Sequence, residues 1–400
     1  MIDKCSVLSR MRRMMHRWCS AHCYALAFAL SATVFTGAAA AERPIVIGAL
    51  YNLTGGQQDL DIPSSRGGQL AVAEANEKGG VLGRQVKLIL RDGQTQAKVI
   101  ARETKALFKE QPGVAGLMGF SDTDMVLAAA PIAARHKRVF VTSGATSPKL
   151  PHEVPRYLFL ACFGDNVQAA AGAEWAFNTL KARSVVVLYK KTSTYAKLLH
   201  GYFETRFKQL GGRVLTVRGY TLATIKDVVK KLPKADLVYF AAQPNDVIAG
   251  VAALRGAGVM EPILGGDGLD IGAAWQQAAQ ADKVYFTTHA YLGADNPDPR
   301  VQAFRAAFAK AYPGKEADAF SALGYDTARL LMAAIKSAGS SKPQAVRKAL
   351  AATHDFPGVT GTISYRNGSR IPAKSVSIIA VSRGRQSLAA TVLAKNIPAP

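Results

Sequence analysis

Apolar residues recur along the chain in short runs separated by longer stretches with helical spacing. The most telling stretch is 66–92, RGGQLAVAEANEKGGVLGRQVKLILRD. Leu70, Ala73 and Ala75 lie on one side of a predicted helix, Gly79–Gly80 breaks it, and an alternating strand Val86–Leu88–Leu90 runs to Asp92. The same alternation continues. Strands are predicted at Ile45–Leu50, Val86–Arg91, Val114–Gly119 and Arg138–Thr142. A second series falls at Ser184–Tyr189, Arg213–Arg218, Asp236–Ala241, Pro262–Gly265 and Lys283–Thr287. Helices are predicted between them at Thr95–Glu110, Thr123–His136, Asp165–Lys181, Thr194–Leu210 and Asp246–Ala257. Strand–helix repetition of this kind implies an α/β fold of two doubly wound, parallel-sheet lobes.

Punctuation marks the passages between the two series. LPHEVPRYLFLACFGDN (150–166) carries prolines before a new helix, and AYLGADNPDP (290–299) precedes an amphipathic helix near Arg300. Helices over roughly 317–338 and 342–351 follow, then GTISYRNGSR and a strand Val376–Val381, with Asn367–Gly368 as a turn signal. This tail has too few strands for a third domain, so it is expected to return and complete both lobes.

The first 41 residues read as a secretory signal. Lys4, Arg10, Arg12, Arg13 and Arg17 precede the apolar run Tyr24 to Phe35, and Gly37–Ala41 offers small residues for cleavage. The run is too short for an ordinary spanning helix. About 360 residues remain, more than one hydrophobic core usually serves, which again points to two domains. Cys5, Cys19 and Cys23 fall in the leader and Cys162 stands alone, so the mature chain has no internal disulfide.

Charge changes the picture little. Removing five basic residues and one acid from 50 and 28 leaves 45 and 27, a formal charge of +18. The basic residues are scattered, with no aromatic-basic motif, so nucleic acid is not an expected partner. Catalysis has little support: the seven histidines are dispersed, Cys162 has no base beside it, and neither GGVLG nor GGDG forms a dinucleotide fingerprint. A Rossmann-type oxidoreductase is the enzyme alternative. No cofactor and no metal are expected.

Seven pieces resemble the periplasmic leucine/isoleucine/valine-binding protein family, the type I solute receptors of ABC importers. They are IVIGALYNLTGG (45–56), GGQLAVAEANEKGGVLGRQVKL (67–88), SDTDMVLAAAPIAARHKRVFVTSGATSPKL (121–150), VVVLYKKTSTYAKLL (185–199), DLVYFAAQPNDV (236–247), ILGGDG (263–268) and ALGYDTARLLMAAI (322–335). Their order and spacing cover essentially the whole mature chain. The resemblance implies an N-terminal lobe of 42–162 plus 292–368 and a C-terminal lobe of 163–291 plus 369–400. A three-segment hinge would join them, closing over a solute. It also implies a periplasmic monomer that docks on an inner-membrane ABC permease. A ligand-sensing receptor lobe for a signalling system is the alternative binding role.

For a zwitterionic solute the residues divide by charge. Thr123, at the start of its helix and eight before Pro131, matches the family's carboxylate-holding hydroxyl, with Ser121 and Asp122 close enough to exchange roles. An ordinary N-cap would show the same composition. The resemblance assigns ligand contact to the Gly144 backbone and to Thr146, in SGAT just beyond a strand end. Asp267 in GGDG matches the family's acidic partner of the ammonium, and Tyr195 the tyrosine that follows the first strand of the second lobe, whose ring can face the ammonium or cover the ligand. Several departures bear on the solute. Lys190–Lys191 stands where relatives carry an acid, Gln243 replaces an aromatic wall, and GGQQDLDIPSS (55–65) offers Asp59, Asp61 or Ile62 to the side-chain end. Burying a leucine side chain contributes roughly 1.5–3 kcal/mol, part of which a polar wall forfeits. The expectation is an amino acid more polar than leucine, or an amide-like or carboxylate solute. Phe163 is read as hinge packing.

Overall fold

The computed structural model describes residues 42–278 and 281–400; the expected leader lies outside them. The first half runs β1 (Ile45–Tyr51), α1 (Gln58–Glu77), β2 (Val86–Asp92), α2 (Ala97–Glu110), β3 (Gly116–Gly119), α3 (Thr123–Arg135), β4 (Phe140–Thr142), α4 (Leu150–Glu153) and β5 (Leu158–Leu160). Its strands form one parallel sheet in the order β2-β1-β3-β4-β5. Alternation along β1 sends Ile45, Ile47 and Ala49 into one core and Leu50 into another on the opposite face. A strand covered on both faces reads as a nearly continuous apolar run, as this one does.

The second half holds α5 (Asp165–Asn178), β6 (Ser184–Lys190), α6 (Thr194–Gln209), β7 (Arg213–Tyr220), α7 (Ile225–Val229), β8 (Leu237–Ala241), α8 (Val247–Gly256), β9 (Ile263–Gly265) and β10 (Val284–Thr288). Strand β8 divides in the same way, with Val238 and Phe240 in one cluster and Leu237, Tyr239 and Ala241 in the other.

The chain then crosses back. Helices α9 (Pro299–Ala311), α10 (Ala319–Ser337) and α11 (Pro343–Ala351) return to the first sheet, α10 lying along α1 and over β3 and β4. A hairpin of β11 (Phe356–Gly358) and β12 (Gly361–Ile363) precedes the third crossing, after which β13 (Val376–Ser382) and β14 (Arg385–Val392) extend the second sheet. That sheet is β14-β13-β10-β9-β8-β6-β7. Two doubly wound lobes joined by three crossings are therefore present, but the second sheet is mixed. Strand β13 runs antiparallel to β10, and β14 antiparallel to β13. The crossings leave from the carboxyl ends of the parallel strands, so a strand entering there runs the opposite way; Ser377 accordingly pairs with Thr288.

Three further expectations need correction. Ala73 is exposed, and the core face of α1 is Leu70, Ala71 and Val72. Strands β5 and β14 carry no sequence signal strong enough to stand out, β5 being three residues long and β14 a largely exposed edge. Asn367–Gly368 does form a turn with both φ positive, closed by Ser369 N–H donating to the Arg366 carbonyl at 2.9 Å. It does not join paired strands, because β12 pairs with β11.

Two contacts fix the parts relative to one another. A Cβ on Gly67 would lie 1.9 Å from Ser321 O, and one on Gly324 would lie 1.8 Å from Ser64 O. Helices α1 and α10 thus meet backbone to backbone, which sets the position of the first turns of α1. At the crossings, the buried Lys374 donates to Ala161 O (3.1 Å) and Thr360 Oγ1 (2.6 Å), and Thr360 donates on to Asp326 (2.7 Å). Tyr365 donates to Leu160 O at 2.8 Å, so the first and third crossings are held together by two side chains.

Candidate functional site

The parallel strands of both sheets switch direction between the first and third of each lobe, and the loops at those carboxyl ends face each other. In open α/β sheets this is where ligands bind. From the first lobe come the ends of β3 (Ser121–Thr123) and β4 (Ser143–Thr146). From the second come those of β6 (Ser193–Tyr195), β8 (Gln243), β9 (Asp267) and β10 (His289). Each of the expected Ser121, Thr123, Thr146, Tyr195, Gln243 and Asp267 is buried here.

On the first lobe Asp122, not Thr123, caps α3, its Oδ1 accepting from Asp124 N (2.9 Å) and Met125 N (3.3 Å). An Asp in extended backbone conformation suits that position. The cap being filled, Thr123 Oγ1 is buried with no partner among the described residues, and so is Ser121 Oγ. A buried hydroxyl without a partner costs about 1–3 kcal/mol, so such atoms mark places where a further group belongs. Gly144 lets the β4 loop approach Ser121, since a Cβ there would sit 3.1 Å from the serine side chain and 3.0 Å from Phe320. Its N–H donates to Phe120 O at 3.3 Å. Thr146 turns toward the second lobe: its carbonyl accepts from Asp165 N (2.6 Å), and its side chain favours the charged form of the Asp165 carboxyl.

On the second lobe Asp267 is the hub. Its Oδ1 accepts from Gln168 Nε2 (2.7 Å) and Tyr195 OH (2.8 Å), and Oδ2 faces His289 Nε2 at 3.1 Å. Gln168 also donates to Asp165 Oδ1 (3.0 Å) and accepts from Asp267 N (3.1 Å) and Thr287 Oγ1 (2.7 Å), so it orients both carboxyls. Burial, and then the Asp267 charge, push the Asp165 carboxyl well above the usual range, and its Oδ2 has no partner. His289 stacks on Phe163 with ring centroids 4.2 Å apart. Burial holds its imidazole below the ordinary value against the opposing pull of Asp267, so it is neutral at pH 7; Nε2–H donates to the carboxylate and Nδ1 is left an unpartnered acceptor. Two desolvated carboxyls with an orphaned oxygen and an orphaned imidazole nitrogen form a seat for a cationic hydrogen-bond donor.

The lobes also touch directly. Gln243 accepts from Gln57 Nε2 (2.6 Å) and donates to Asp122 Oδ2 (2.8 Å) across the gap, and to Ser193 Oγ (2.7 Å) on its own side. Thr194 N, at the first turn of α6, donates to Asp124 Oδ2 at 3.2 Å, where the helix dipole favours an anion. Gln243 therefore spends its amide on the protein instead of presenting a polar wall. Lys190 pairs with Asp246 at 2.9 Å. Of the three side chains expected at the far end, Asp59 is exposed, Ile62 half-buried and Asp61 fully buried.

Sequence reasoning overlooked Asp165, Gln168, His289 and Gln57. Asp165 and Gln168 carry a readable signal, a D-x-x-Q spacing that places both on one face of the helix opening after a crossing. His289 stands one residue past a strand, where the rule that found Asp267 applies equally. Gln57 has no such signal, because its role depends on the other lobe. Cys162 is buried, its thiol donating to Ala145 O at 3.3 Å, and burial pushes it up.

Comparison with known proteins agrees with this geometry. The family model described as "periplasmic binding protein" matches residues 44–386. The Leu/Ile/Val-binding protein BraC3 of Rhizobium johnstonii is 27% identical over 351 residues, covering 86% of this chain and 94% of its own. Among solved structures, the branched-chain amino acid transporter substrate-binding protein LivJ from Streptococcus pneumoniae, in complex with isoleucine, superposes with a TM-score of 0.80. It is 26% identical and covers 87% of this chain and 99% of its own. The leucine-binding protein LivK from Thermotoga maritima gives 0.78 and 28%, covering 87% of this chain and 98% of its own.

Proposed function

The chain belongs to the periplasmic binding protein family, and from that premise we propose that it is the solute receptor of an ABC importer. It is exported by its leader to the periplasm, closes as a monomer over an amino acid, and presents the closed form to an inner-membrane permease. One observation carries the reading. Across a single gap the first lobe leaves Ser121 Oγ and Thr123 Oγ1 unpartnered, while the second leaves Asp165 Oδ2 and His289 Nδ1 unpartnered. Hydroxyls beside the positive end of α3 suit a carboxylate. The Asp165–Asp267 pair suits an ammonium, whose charge relieves the repulsion between the two carboxyls. Only a molecule carrying both groups satisfies both lobes at once, which is the condition for a ligand to draw the lobes together. Tyr195 and Gln168 hold Asp267 in place; Gly144 contributes by letting Ser121 approach.

Calorimetric titration of the mature protein with amino acids tests the reading. The wild type is expected to bind at least one α-amino acid, and Asp267→Ala to lose that binding while its circular dichroism is retained. Unchanged affinity in the variant would remove the ammonium role.

A further inference from the structure

Behind Ser121 and Gly144, the first lobe holds a buried polar cluster centred on Asp61 that the arrangement above leaves unused. Asp61, on the inner side of α1, is 0% exposed; its Oδ2 accepts from Asn52 N (2.8 Å) and Asn52 Nδ2 (2.9 Å), while Oδ1 has no partner. Ser64, three residues on, is also 0% exposed with an unpartnered hydroxyl. Tyr51 OH lies 3.3 Å from Ser143 Oγ and is acted on by both Ser64 and the Asp61 charge. Ser121 joins the cluster to the cleft: its side chain sits beside the Asp61 carboxyl and favours its charged form, yet its hydroxyl lies outside hydrogen-bond geometry. Gln57 Oε1, at the same rim, is a further buried acceptor without a partner.

These atoms want donors. An amide oxygen can only accept, the Asp61 carboxyl accepts through both oxygens once a cationic partner holds it ionised, and the Ser64 hydroxyl can turn to accept as well. The charged neighbours acting on Asp61 and Asp122 are themselves carboxylates, Asp122 on the first and Asp124 on the second. A nitrogen bearing N–H groups relieves both the missing hydrogen bonds and the repulsion; a methyl group relieves neither. Burial pushes Asp61 up to about 7, the response of a carboxyl kept from water without a counter-charge.

We infer that Asp61, with Ser64 and Gln57, seats the far end of the solute and selects a side chain ending in an N–H donor, an ammonium, guanidinium or amide, over an aliphatic one. The inference rests on the reading of the cleft as an amino-acid site. Gly67 and Gly324 serve it by fixing α1 against α10, which keeps Asp61 at its depth.

Leucine, glutamine, lysine and arginine are titrated separately into the mature wild type, Asp61→Asn and Asp61→Ala, with melting curves to confirm folding. In the wild type one of the three donor-bearing amino acids binds tighter than leucine by a factor on the order of ten or more, since a site built to hydrogen-bond rejects an analogue lacking the group. Asp61→Ala abolishes that gap, weakening the donor-bearing amino acid far more than leucine. Asp61→Asn separates the sources, keeping the gap for glutamine but losing it for lysine and arginine; it also carries the test should the alanine variant not fold. Leucine binding as tightly as all three, or Asp61→Ala weakening all four equally, overturns the inference while the amino-acid cleft stands. Binding of none of the four in the wild type overturns both.

Discussion

Gln243→Ala tests whether the lobes are held together by the protein itself as well as by solute. Two of the glutamine's hydrogen bonds cross the gap, one from Gln57 (2.6 Å) and one to the Asp122 carboxyl (2.8 Å). Its bond to Ser193 stays within one lobe and does not report on closure. A neutral bond contributes about 0.5–1.5 kcal/mol and one to a charged group about 1.5–3 kcal/mol, so the closed form loses roughly 2–4 kcal/mol relative to the open one. At about 1.4 kcal/mol per tenfold, the closure equilibrium shifts by roughly thirtyfold to several hundredfold. Asp122 Oδ2 keeps only the contact from Gln57 of its own lobe at 3.4 Å, and Asp124 with Thr194 N remains as a tie across the gap. Apparent solute affinity falls by the same factor once the open form dominates, because binding must then supply the closure that Gln243 no longer favours. Small-angle scattering of the ligand-free protein gives a readout independent of any contact between Gln243 and solute. The variant is expected to be measurably more extended than the wild type, and its affinity by calorimetry at least tenfold weaker. A ligand-free variant as compact as the wild type, with unchanged affinity, would sink the argument that this amide couples the lobes.

Two further outcomes concern stability. Asp61 and Asp122 are raised from 3.8 to about 7 and about 6 by burial. The folded protein therefore keeps protons that the unfolded chain releases between about pH 4 and pH 7, and both groups weigh increasingly against folding as pH rises through that window. Asp61→Asn removes one of these contributions. Its Tm relative to the wild type should climb from pH 4 to pH 8 by differential scanning fluorimetry, and a pH-independent difference would show that Asp61 is not strained in this way. Gly324→Ala places a methyl 1.8 Å from Ser64 O and must push α1 off α10; overpacking costs about 1–3 kcal/mol or more, so Tm drops by several degrees. Gly201→Ala, inside α6 with nothing within 4 Å, is the contrast: it should raise stability by up to about 1 kcal/mol. Equal effects of the two in thermal melts would show that the close helix crossing is not what requires Gly324.

What the sequence disclosed follows the range of the interaction. The period-2 runs of β1, β6 and β8 and the helices between them are local patterns, and they were legible to within a few residues. So was the placement of Ser121, Thr123, Thr146, Tyr195 and Asp267 beyond strand ends, because in a doubly wound sheet that position follows from chain order alone. The choice of Asp122 over Thr123 as the cap was not legible. Both types cap helices, and which one does is decided by the extended backbone of Asp122. Gln243 shows the deeper limit. Its sequence position suggests a polar wall facing solute, yet its amide is consumed by Gln57, 186 residues earlier, and by Asp122, 121 residues earlier. A side chain whose partners lie on the other lobe has no local signature, and its polarity says nothing about the solute until those partners are known. The same reasoning turns the specificity argument around: polarity at Gln243 is spent, while polarity at Asp61, 0% exposed with an oxygen still open, is not. Of the departures from the leucine-binding pattern, Lys190 and Gln243 are engaged by the protein, whereas the segment 55–65 keeps buried oxygens open at Gln57, Asp61 and Ser64, and of these only Asp61 can carry a charge toward the solute.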